Sequence, residues 1–311
     1  MRLLGCMIVR DEADIVELTM RHNLALLDGI AVVDHGSTDG TSEILAALAA
    51  ERLPIFVTPD ANPRFRQKAM INPLVRHAVM TTDVDWIFVI DADEFIAARS
   101  RVDLESTLRG LPTDRHAILA WPTRVPVSFD ASVSLAERLD RTRRVVNPGQ
   151  RHAKMALPRQ VLLRSGIEIG AGQHELEAMR PDLAVAPGHP LPESELSIAH
   201  VPIRTSDQYI RKCAAGWLSV VAQERRRVYH TVQWRDAFDA YVAGEPFDDA
   251  MLTAAAINYG IPRESWGDYT GRLEDAPPFL LAHEERYRGL ARKRGPGALL
   301  KHAERLLTAP R

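Results

Sequence analysis

Three acidic residues, Asp91, Asp93 and Glu94, closely follow the apolar run 86–90. The run contains β-branched and aromatic residues and predicts a strand that is buried on both faces. Residues two apart in an extended chain point to the same side, so Asp91 and Asp93 can offer hard oxygen ligands to one cation. Open α/β sheets also bind ligands at the carboxyl ends of their central parallel strands. The ordinary alternative is a solvated strand end followed by a turn.

The elements that must position these acids lie in the first 95 residues. Apolar segments predict four strands, and periodic or small-residue segments predict a helix after each of the first three. The segment 35–41, rich in Gly, Ser, Thr and Asp, predicts a turn that caps the second helix. This alternation predicts an α/β fold with a parallel, right-handed, doubly wound sheet. The predicted strands are 3–9, 29–34, 55–57 and 86–90, and the predicted helices are 15–25, 42–50 and 65–80.

The pattern is less regular after residue 95. Strands are predicted at 117–121, 160–163 and 196–199, and a glycine-rich bend precedes His174 and Glu175. From residue 206 onward the composition is helical, which places a boundary near residue 205 between an α/β part and a helical extension. The helices of this extension are predicted to begin near 206 and to continue at 234–243, 248–259, 278–292 and 296–307.

The segment 138–164 has eight Lys or Arg residues against one acid, Asp140. Two interpretations stay open for it. The basic side chains form either a solvated face or a mobile loop over an anionic ligand such as a diphosphate.

The bulk composition is that of an ordinary globular protein of 311 residues, with 26% charged and 46% apolar residues. The net charge of −2 gives no support for nucleic-acid binding. Two cysteines, Cys6 and Cys213, are too few for a disulfide framework and fit a reducing cytoplasm. The short apolar start 3–9 is not a signal peptide, and no run approaches a membrane span. Association with the inner membrane face and a homodimer both stay open.

Five segments of the chain resemble a glycosyltransferase of the family 2 type, and more narrowly its branch with a D-x-D-E-F strand end. The matching residues are Ile-Val-Arg-Asp-Glu at 8–12, Val-Asp-His-Gly-Ser-Thr-Asp-Gly-Thr at 33–41, Arg-Gln at 66–67, Trp86 to Phe95, and H-x-P-x-R-x-x-x-Q-Y-x-x-K at 200–212. The resemblance implies a GT-A fold, a single Rossmann-like domain with a mostly parallel sheet. Such a domain binds a nucleotide-sugar, here expected to be UDP-linked, and Mn²⁺ or Mg²⁺. The catalytic domain would then be 1–205 and the helical extension 206–311.

The resemblance also implies roles for individual residues. Those matched to the donor site are Val9, Glu12, Asp34, His35, Gln67, Asp91 and Arg204, and those matched to a metal site are Asp91, Asp93 and a late histidine, His174 first and His200 second. The family often has a second aspartate after the one matched by Asp34, and this chain has His35 there. The identity of the base therefore stays open, although a neutral imidazole can donate one hydrogen bond to a carbonyl.

An inverting transfer needs a carboxylate within hydrogen-bond reach of the acceptor hydroxyl. Glu175, beside His174, is the first candidate for this base and Glu94 the second, with a surface salt bridge as the alternative role. The sequence therefore predicts a metal-dependent, inverting glycosyltransferase that acts on a hydroxyl of a glycan, lipid or small-molecule acceptor.

Three other functions compete with this prediction. A nucleotide-sugar or glycan-binding module without turnover would keep the same acids. A sugar nucleotidyltransferase would need a glycine-rich basic loop after the first strand, where 10–13 contains no glycine. A phosphohydrolase with a nucleophilic aspartate would need Thr or Val where Phe95 stands.

Overall fold

A computed structural model describes residues 1–62, 64–149, 152–221, 232–292 and 296–308. The strands within these ranges are β1 (Leu3–Val9), β2 (Gly29–Asp34), β3 (Ile55–Pro59), β4 (Trp86–Val89), β5 (Glu94–Ala97), β6 (Ala117–Ala120), β7 (Arg124–Pro126), β8 (Thr142–Val146), β9 (Ala153–Pro158), β10 (Ile167–Ile169), β11 (Leu176–Ala178), β12 (His189–Pro190), β13 (Ser197–His200) and β14 (Arg272–Ala276). The helices are α1 (Val16–Leu24), α2 (Thr41–Ala50), α3 (Gln67–Thr81), α4 (Arg101–Arg109), α5 (Leu135–Asp140), α6 (Arg159–Leu162), α7 (Ser206–Val221), α8 (Val232–Val242), α9 (Asp249–Ile257) and α10 (Pro296–Thr308), with 3₁₀ turns at Ala171–Gln173, Arg263–Asp268 and Arg288–Leu290.

The predicted α/β class is confirmed by a sheet in the order β3-β2-β1-β4-β9-β6-β13-β5, with β12 beside β6. The first four strands in this order are parallel, as the alternation of strands and helices predicts. Beyond β4 the sheet is mixed, because β9 runs antiparallel to both β4 and β6, and β13 runs antiparallel to β5. The parallel part therefore carries the predicted acids, and the mixed part lies beside it.

The core lies on both faces of β4, which explains its unbroken apolar sequence. Trp86 and Phe88 pack into the cluster that includes α1, α2 and α4, whereas Ile87 and Val89 pack into the cluster that includes α3. Each fully buried side chain of this size stabilises the fold by roughly 1.5–3 kcal/mol. Two layers of helices therefore hold the strand whose end carries the acids.

Two elements differ from their predictions. The predicted strand 160–163 belongs instead to the short helix α6. The predicted helix 278–292 is an extended segment with a single 3₁₀ turn at Arg288–Leu290. We call residues 279–292 the C-terminal strap. The region after 206 is mainly helical but also contains β14, which pairs with β8 in a three-stranded sheet.

The C-terminal strap is fixed by hydrogen bonds to the first part of the chain. The backbone N–H groups of Arg286 and Tyr287 donate to the carboxylate of Glu17, at 3.0 and 2.8 Å. The N–H of Arg292 donates to the carbonyl of Asp39. Gly40 has φ 108°, and a Cβ there would collide with the carbonyl oxygen of Leu290. Tertiary hydrogen bonds, rather than helical ones, thus satisfy this part of the backbone.

The basic segment 138–164 is not a mobile loop over a ligand, because most of it forms β8 and β9 with their flanking residues. Lys154 is fully buried, and the buried Arg138 donates from Nη1 to the carbonyl of Arg204 at 2.5 Å. Arg151 of this segment lies outside the described residues. Within the described ranges, every helix is too short or too polar to cross a bilayer.

Candidate active site

The loops that follow β1 and β2 are joined side by side at the carboxyl end of the sheet. The N–H of Glu12 donates to Thr41 Oγ1 at 2.9 Å, and the N–H of Ala13 donates to Asp39 Oδ2 at 3.0 Å. Asp34 closes its own turn by accepting the N–H of Ser37. The first strand, the second strand and the turn after it therefore place Val9, Glu12, Asp34 and His35 in one region of the structure.

Arg10 links this corner to the C-terminal helix α10. Its Nη1 lies 3.4 Å from His35 Nδ1, and its Nη2 lies 2.7 Å from His302 Nδ1. A guanidinium can only donate, so both Nδ1 atoms accept. His302 is buried, and its Nε2 lies 3.2 Å from Ser219 Oγ of α7.

Asp93 is enclosed by basic groups. Its side chain is 3% exposed, and its Oδ2 accepts a hydrogen bond from Lys212 Nζ at 2.5 Å. Arg204 Nη1 and His200 Nε2 lie 3.7 and 3.8 Å from the same oxygen. Burial opposes ionisation of Asp93, but the nearby Lys212, His200 and Arg204 outweigh it and hold its pKa below the usual range.

Arg204 and Lys212 also bind the acids that follow β1. Arg204 donates from Nη2 to Glu12 Oε2 at 2.5 Å and from Nε to Asp14 Oδ2 at 2.7 Å. Lys212 donates to Glu12 Oε1 at 3.1 Å. Arg204, predicted at the donor site, is fully buried and therefore holds the first loop against β4 and α7.

Asp91 is paired differently from Asp93. Its Oδ2 accepts from Lys154 Nζ at 2.8 Å, and its side chain remains 35% exposed. Lys154 also lies 3.0 Å from Glu94 Oε1. Glu94 is 0% exposed and accepts from the N–H of Asp91 and from Trp121 Nε1, at 2.9 and 2.7 Å. Burial raises the pKa of Glu94 to about 8, although Lys154 opposes this.

Trp121 is the centre of a group of rings beside these acids. It stacks on His200 with ring centroids 4.0 Å apart, and meets His174 edge to face at 5.2 Å. His174 Nδ1 donates to the carbonyl of Ala153 at 2.7 Å, which leaves Nε2 as the nitrogen with a free lone pair. Burial lowers the pKa of His174 to about 4, so the ring is neutral near pH 7.

The remaining predicted residues lie near this group. Gln67 Oε1 accepts from the N–H of Gly172 at 2.7 Å and so holds the bend that carries His174. Glu175 is exposed next to His174. Glu94 has no solvent-exposed surface, because Asp91, Trp121 and Lys154 enclose it.

The fit of the predicted metal residues is uneven. No three His, Cys, Asp or Glu side chains of the described residues lie together in a way that could hold a metal ion. Asp91 keeps an open side and His174 keeps a ring nitrogen with a free lone pair, so each could offer one ligand atom. Asp93 and His200 do not fit, because both are almost fully buried and Asp93 is already bound by Lys212. A cation here would need phosphate oxygens to complete its ligands.

Several residues of the site were not assigned a role from sequence, among them Asp14, Lys154, Lys212, Trp121 and His302. Lys154 belongs to the basic run and Lys212 to the late motif, so a signal existed for both. Trp121 only marks a strand end in sequence, and His302 has no distinguishing pattern.

The buried strands end in a cluster of paired acids and bases at the carboxyl edge of the sheet, where α/β folds commonly bind their ligands. Residues 6–129 match the family model Glycosyl transferase family 2. The match lies in the same part of the chain as the resembling segments 8–12, 33–41, 66–67 and 86–95.

A TPR repeat-containing protein of Synechococcus elongatus is 31% identical over 103 residues, which are 33% of this chain and 23% of that protein. The chain thus spans about a quarter of this relative. TarS 1–349 of S. aureus is 10% identical over 83% of this chain and 79% of its own, with a TM-score of 0.40. The mannosyltransferase PcManGT of Pyrobaculum calidifontis, in complex with GDP-Man and Mn²⁺, is 16% identical over 82% of this chain and 69% of its own, with a TM-score of 0.37.

Proposed function

We propose that the chain transfers a glycosyl group from a UDP-linked sugar to an acceptor hydroxyl, with inversion. The observation that carries the proposal is the family match over residues 6–129. These residues form the loops after β1, β2 and β4, which meet at one edge of the sheet.

The donor lies across these three loops in our proposal. Val9, Asp34 and His35 contact the nucleoside, and Asp91 is nearest to the diphosphate. Glu12 acts through Lys212 and Arg204, because its carboxylate is already bound by both. Lys212, whose side chain is 28% exposed, supplies positive charge on the side of the leaving diphosphate.

A divalent cation, Mn²⁺ or Mg²⁺, when bound, supplies Lewis-acid stabilisation of the diphosphate. Asp91 and His174 are the residues that would hold it. The chain's own part is to keep His174 neutral and oriented through the carbonyl of Ala153.

Glu175 is the general base in this proposal, because it is the exposed one of the two predicted carboxylates. It removes the proton from the acceptor hydroxyl, which belongs to a glycan, a lipid or a small molecule. Glu94 is a positioning residue, since it holds the backbone of Asp91 and the ring of Trp121.

The test incubates the full chain with a panel of nucleotide-sugars and candidate acceptors in Mn²⁺ or EDTA, and measures nucleoside diphosphate release. We expect release from a UDP-sugar, and a roughly 10²–10⁴-fold lower kcat in Glu175→Gln. Glu195→Gln, an exposed glutamate before β13, is the matched control and should keep full activity.

Absence of release with every donor contradicts the proposal. Nucleotide-sugar binding without release would support the alternative, a binding module without turnover. The pairing of Asp93 with Lys212 is the observation that favours this second function.

A further inference from the structure

We infer that Arg124 of β7 and Thr142 of β8 bind the phosphate group of a small soluble molecule. The site lies on one face of the small sheet β14-β8-β7, and not at the strand ends that carry Asp91 and Asp93. The inference goes beyond glycosyl transfer, because neither side chain takes part in the proposed reaction.

Arg124 is a buried cation without a counter-ion. The residue is 5% exposed, and no carboxylate of the described residues lies within 4 Å of its guanidinium. Its Nη1 makes one long hydrogen bond, of 3.4 Å, to the carbonyl of Pro277, and its buried Nε has no acceptor among the described residues. Its Cζ lies 5.5 Å from the ring centroid of Phe279. One carbonyl and one ring only partly replace the water that a guanidinium loses on burial.

The buried Arg204 shows the contrast with a guanidinium that has its acids. Burial opposes the charge of Arg204, but the adjacent Asp14 and Glu12 outweigh burial and raise its pKa. Burial lowers the pKa of Arg124, because Glu193 acts on it from a greater distance and compensates only in part. Arginine stays protonated even so, and Arg124 is therefore a cation that an anion would stabilise.

The strand pairing places a second arginine and a hydroxyl beside Arg124. Arg124 lies directly opposite Arg144 in the antiparallel pair of β7 and β8, and such residues point to the same face of the sheet. Thr142 is two residues from Arg144 and therefore shares that face. Thr142 is 4% exposed, and its Oγ1 has no hydrogen-bond partner among the described residues. Like charges directly opposite each other are unfavourable, so an anion on this face would reduce a repulsion and bind two unpartnered groups.

Arg144 is the more exposed of the two opposed arginines. Its side chain is 35% exposed and is bound by Glu193 at 2.8 Å, with Glu274 at 3.8 Å. Arg144 therefore has counter-ions of its own, and Arg124 is the cation that a ligand would neutralise. A guanidinium fork and a hydroxyl on the same face offer donors from two directions, which suits the tetrahedral oxygens of a phosphate. A side chain that is 5% exposed cannot reach a lipid headgroup in a flat bilayer, so the ligand is a small soluble molecule.

The test measures thermal unfolding of the full chain in inorganic phosphate, in glycerol 3-phosphate and in sodium acetate. Each is compared with sodium chloride of equal ionic strength at the same near-neutral pH, and the phosphates are titrated to give their affinity. The variants are Arg124→Met and Arg124→Lys. Arg141→Met is the matched control, because Arg141 is an exposed arginine directly before β8.

For the wild type and Arg141→Met we expect both phosphates to raise Tm by about 2–4 °C over chloride, and acetate to raise it by less than half as much. Arg124→Met should lose most of this gain. Its Tm in chloride should equal or exceed that of the wild type, because an apolar chain replaces an unpaired buried cation. Arg124→Lys keeps the charge but not the planar fork, so it should bind phosphate roughly tenfold more weakly than the wild type.

A wild-type Tm that is equal in phosphate and chloride overturns the inference, as does a phosphate gain that Arg124→Met retains in full. If Arg124→Met does not fold, an undiminished phosphate affinity in Arg124→Lys overturns it instead. An acetate gain as large as the phosphate gain overturns the assignment of a phosphate ligand. A Tm in chloride that is about 5 °C or more below the wild type in both variants also overturns the inference, since Pro277 and Phe279 would then satisfy the guanidinium.

Discussion

The acids and the bases of the candidate site come from different regions of the chain. The acids lie between residues 12 and 94: Glu12, Asp14, Asp91, Asp93 and Glu94. The bases lie between residues 154 and 212: Lys154, Arg204 and Lys212. The family match ends at residue 129 and so contains the acids but none of these bases. The acids of the matched residues therefore take their basic partners from the region that follows residue 129.

The separation of the acids and the bases along the chain also affects the stability of the fold. Buried carboxylates without partners are costly, and the partners here come from β9, from the loop before α7 and from α7 itself. Substitutions of the bases should thus destabilise the fold more than substitutions of exposed charges on the same elements.

The largest expected effect comes from Arg204→Met. This change leaves Glu12 and Asp14 without their shared partner, so the free energy of unfolding should fall by about 3–5 kcal/mol. Urea denaturation measures it. Arg211→Met on α7 removes a surface pair with Asp207 and should cost about 1 kcal/mol or less. Equal losses in the two variants would contradict a buried charge network between the two regions.

The next largest effect is a pH dependence of stability that arises where His22 of α1 contacts the C-terminal strap. His22 is buried on α1, donates from Nε2 to the carbonyl of Ile96 and accepts the N–H of Leu281 at Nδ1, which requires a neutral ring. Burial lowers its pKa to about 4. Unfolding below pH 6.5 therefore takes up a proton that the folded state does not bind, and stability should fall by roughly 3 kcal/mol between pH 6.5 and 4.

Urea unfolding of His22→Gln at a series of pH values measures the contribution of His22. The free energy of unfolding of this variant should fall less between pH 6.5 and 4 than that of the wild type. His77→Gln, on the exposed side of α3, is the control and should keep the wild-type profile. A His22→Gln profile as steep as that of the wild type would show that His22 is not the group responsible.

The smallest of these effects is expected for Trp121→Phe. The change keeps an aromatic ring against His200 but removes the N–H donor to the fully buried Glu94. The free energy of unfolding should therefore fall by about 1–3 kcal/mol. Trp266→Phe removes a bond to the carbonyl of Ile261 at a half-buried site and should cost less. A larger loss in Trp266→Phe would mean that the Glu94 environment adapts to the missing donor.

Local sequence information predicted the first region well. Strands β1 and β2 begin and end where their apolar runs do, because a run buried on both faces needs no distant partner to be recognised. The predicted helix 278–292 failed because that backbone is satisfied by Glu17 and His22, more than 250 residues earlier. Asp91, Asp93 and Glu94 were found together in sequence, whereas Lys154 and Lys212 reach Asp91 and Asp93 across 63 and 119 residues, a separation that no periodic pattern records.

The crowding of Gly40 by Leu290 has a consequence for protein engineering. The positive φ of the turn alone would favour a glycine, but the backbone of Leu290 also leaves no room for a Cβ at this position. A chimera whose first 130 residues come from another protein must therefore have a glycine at position 40. It must also keep Arg10, which binds His302 of α10, and Glu17, which binds the C-terminal strap, so that the C-terminal segment can pack against the new residues.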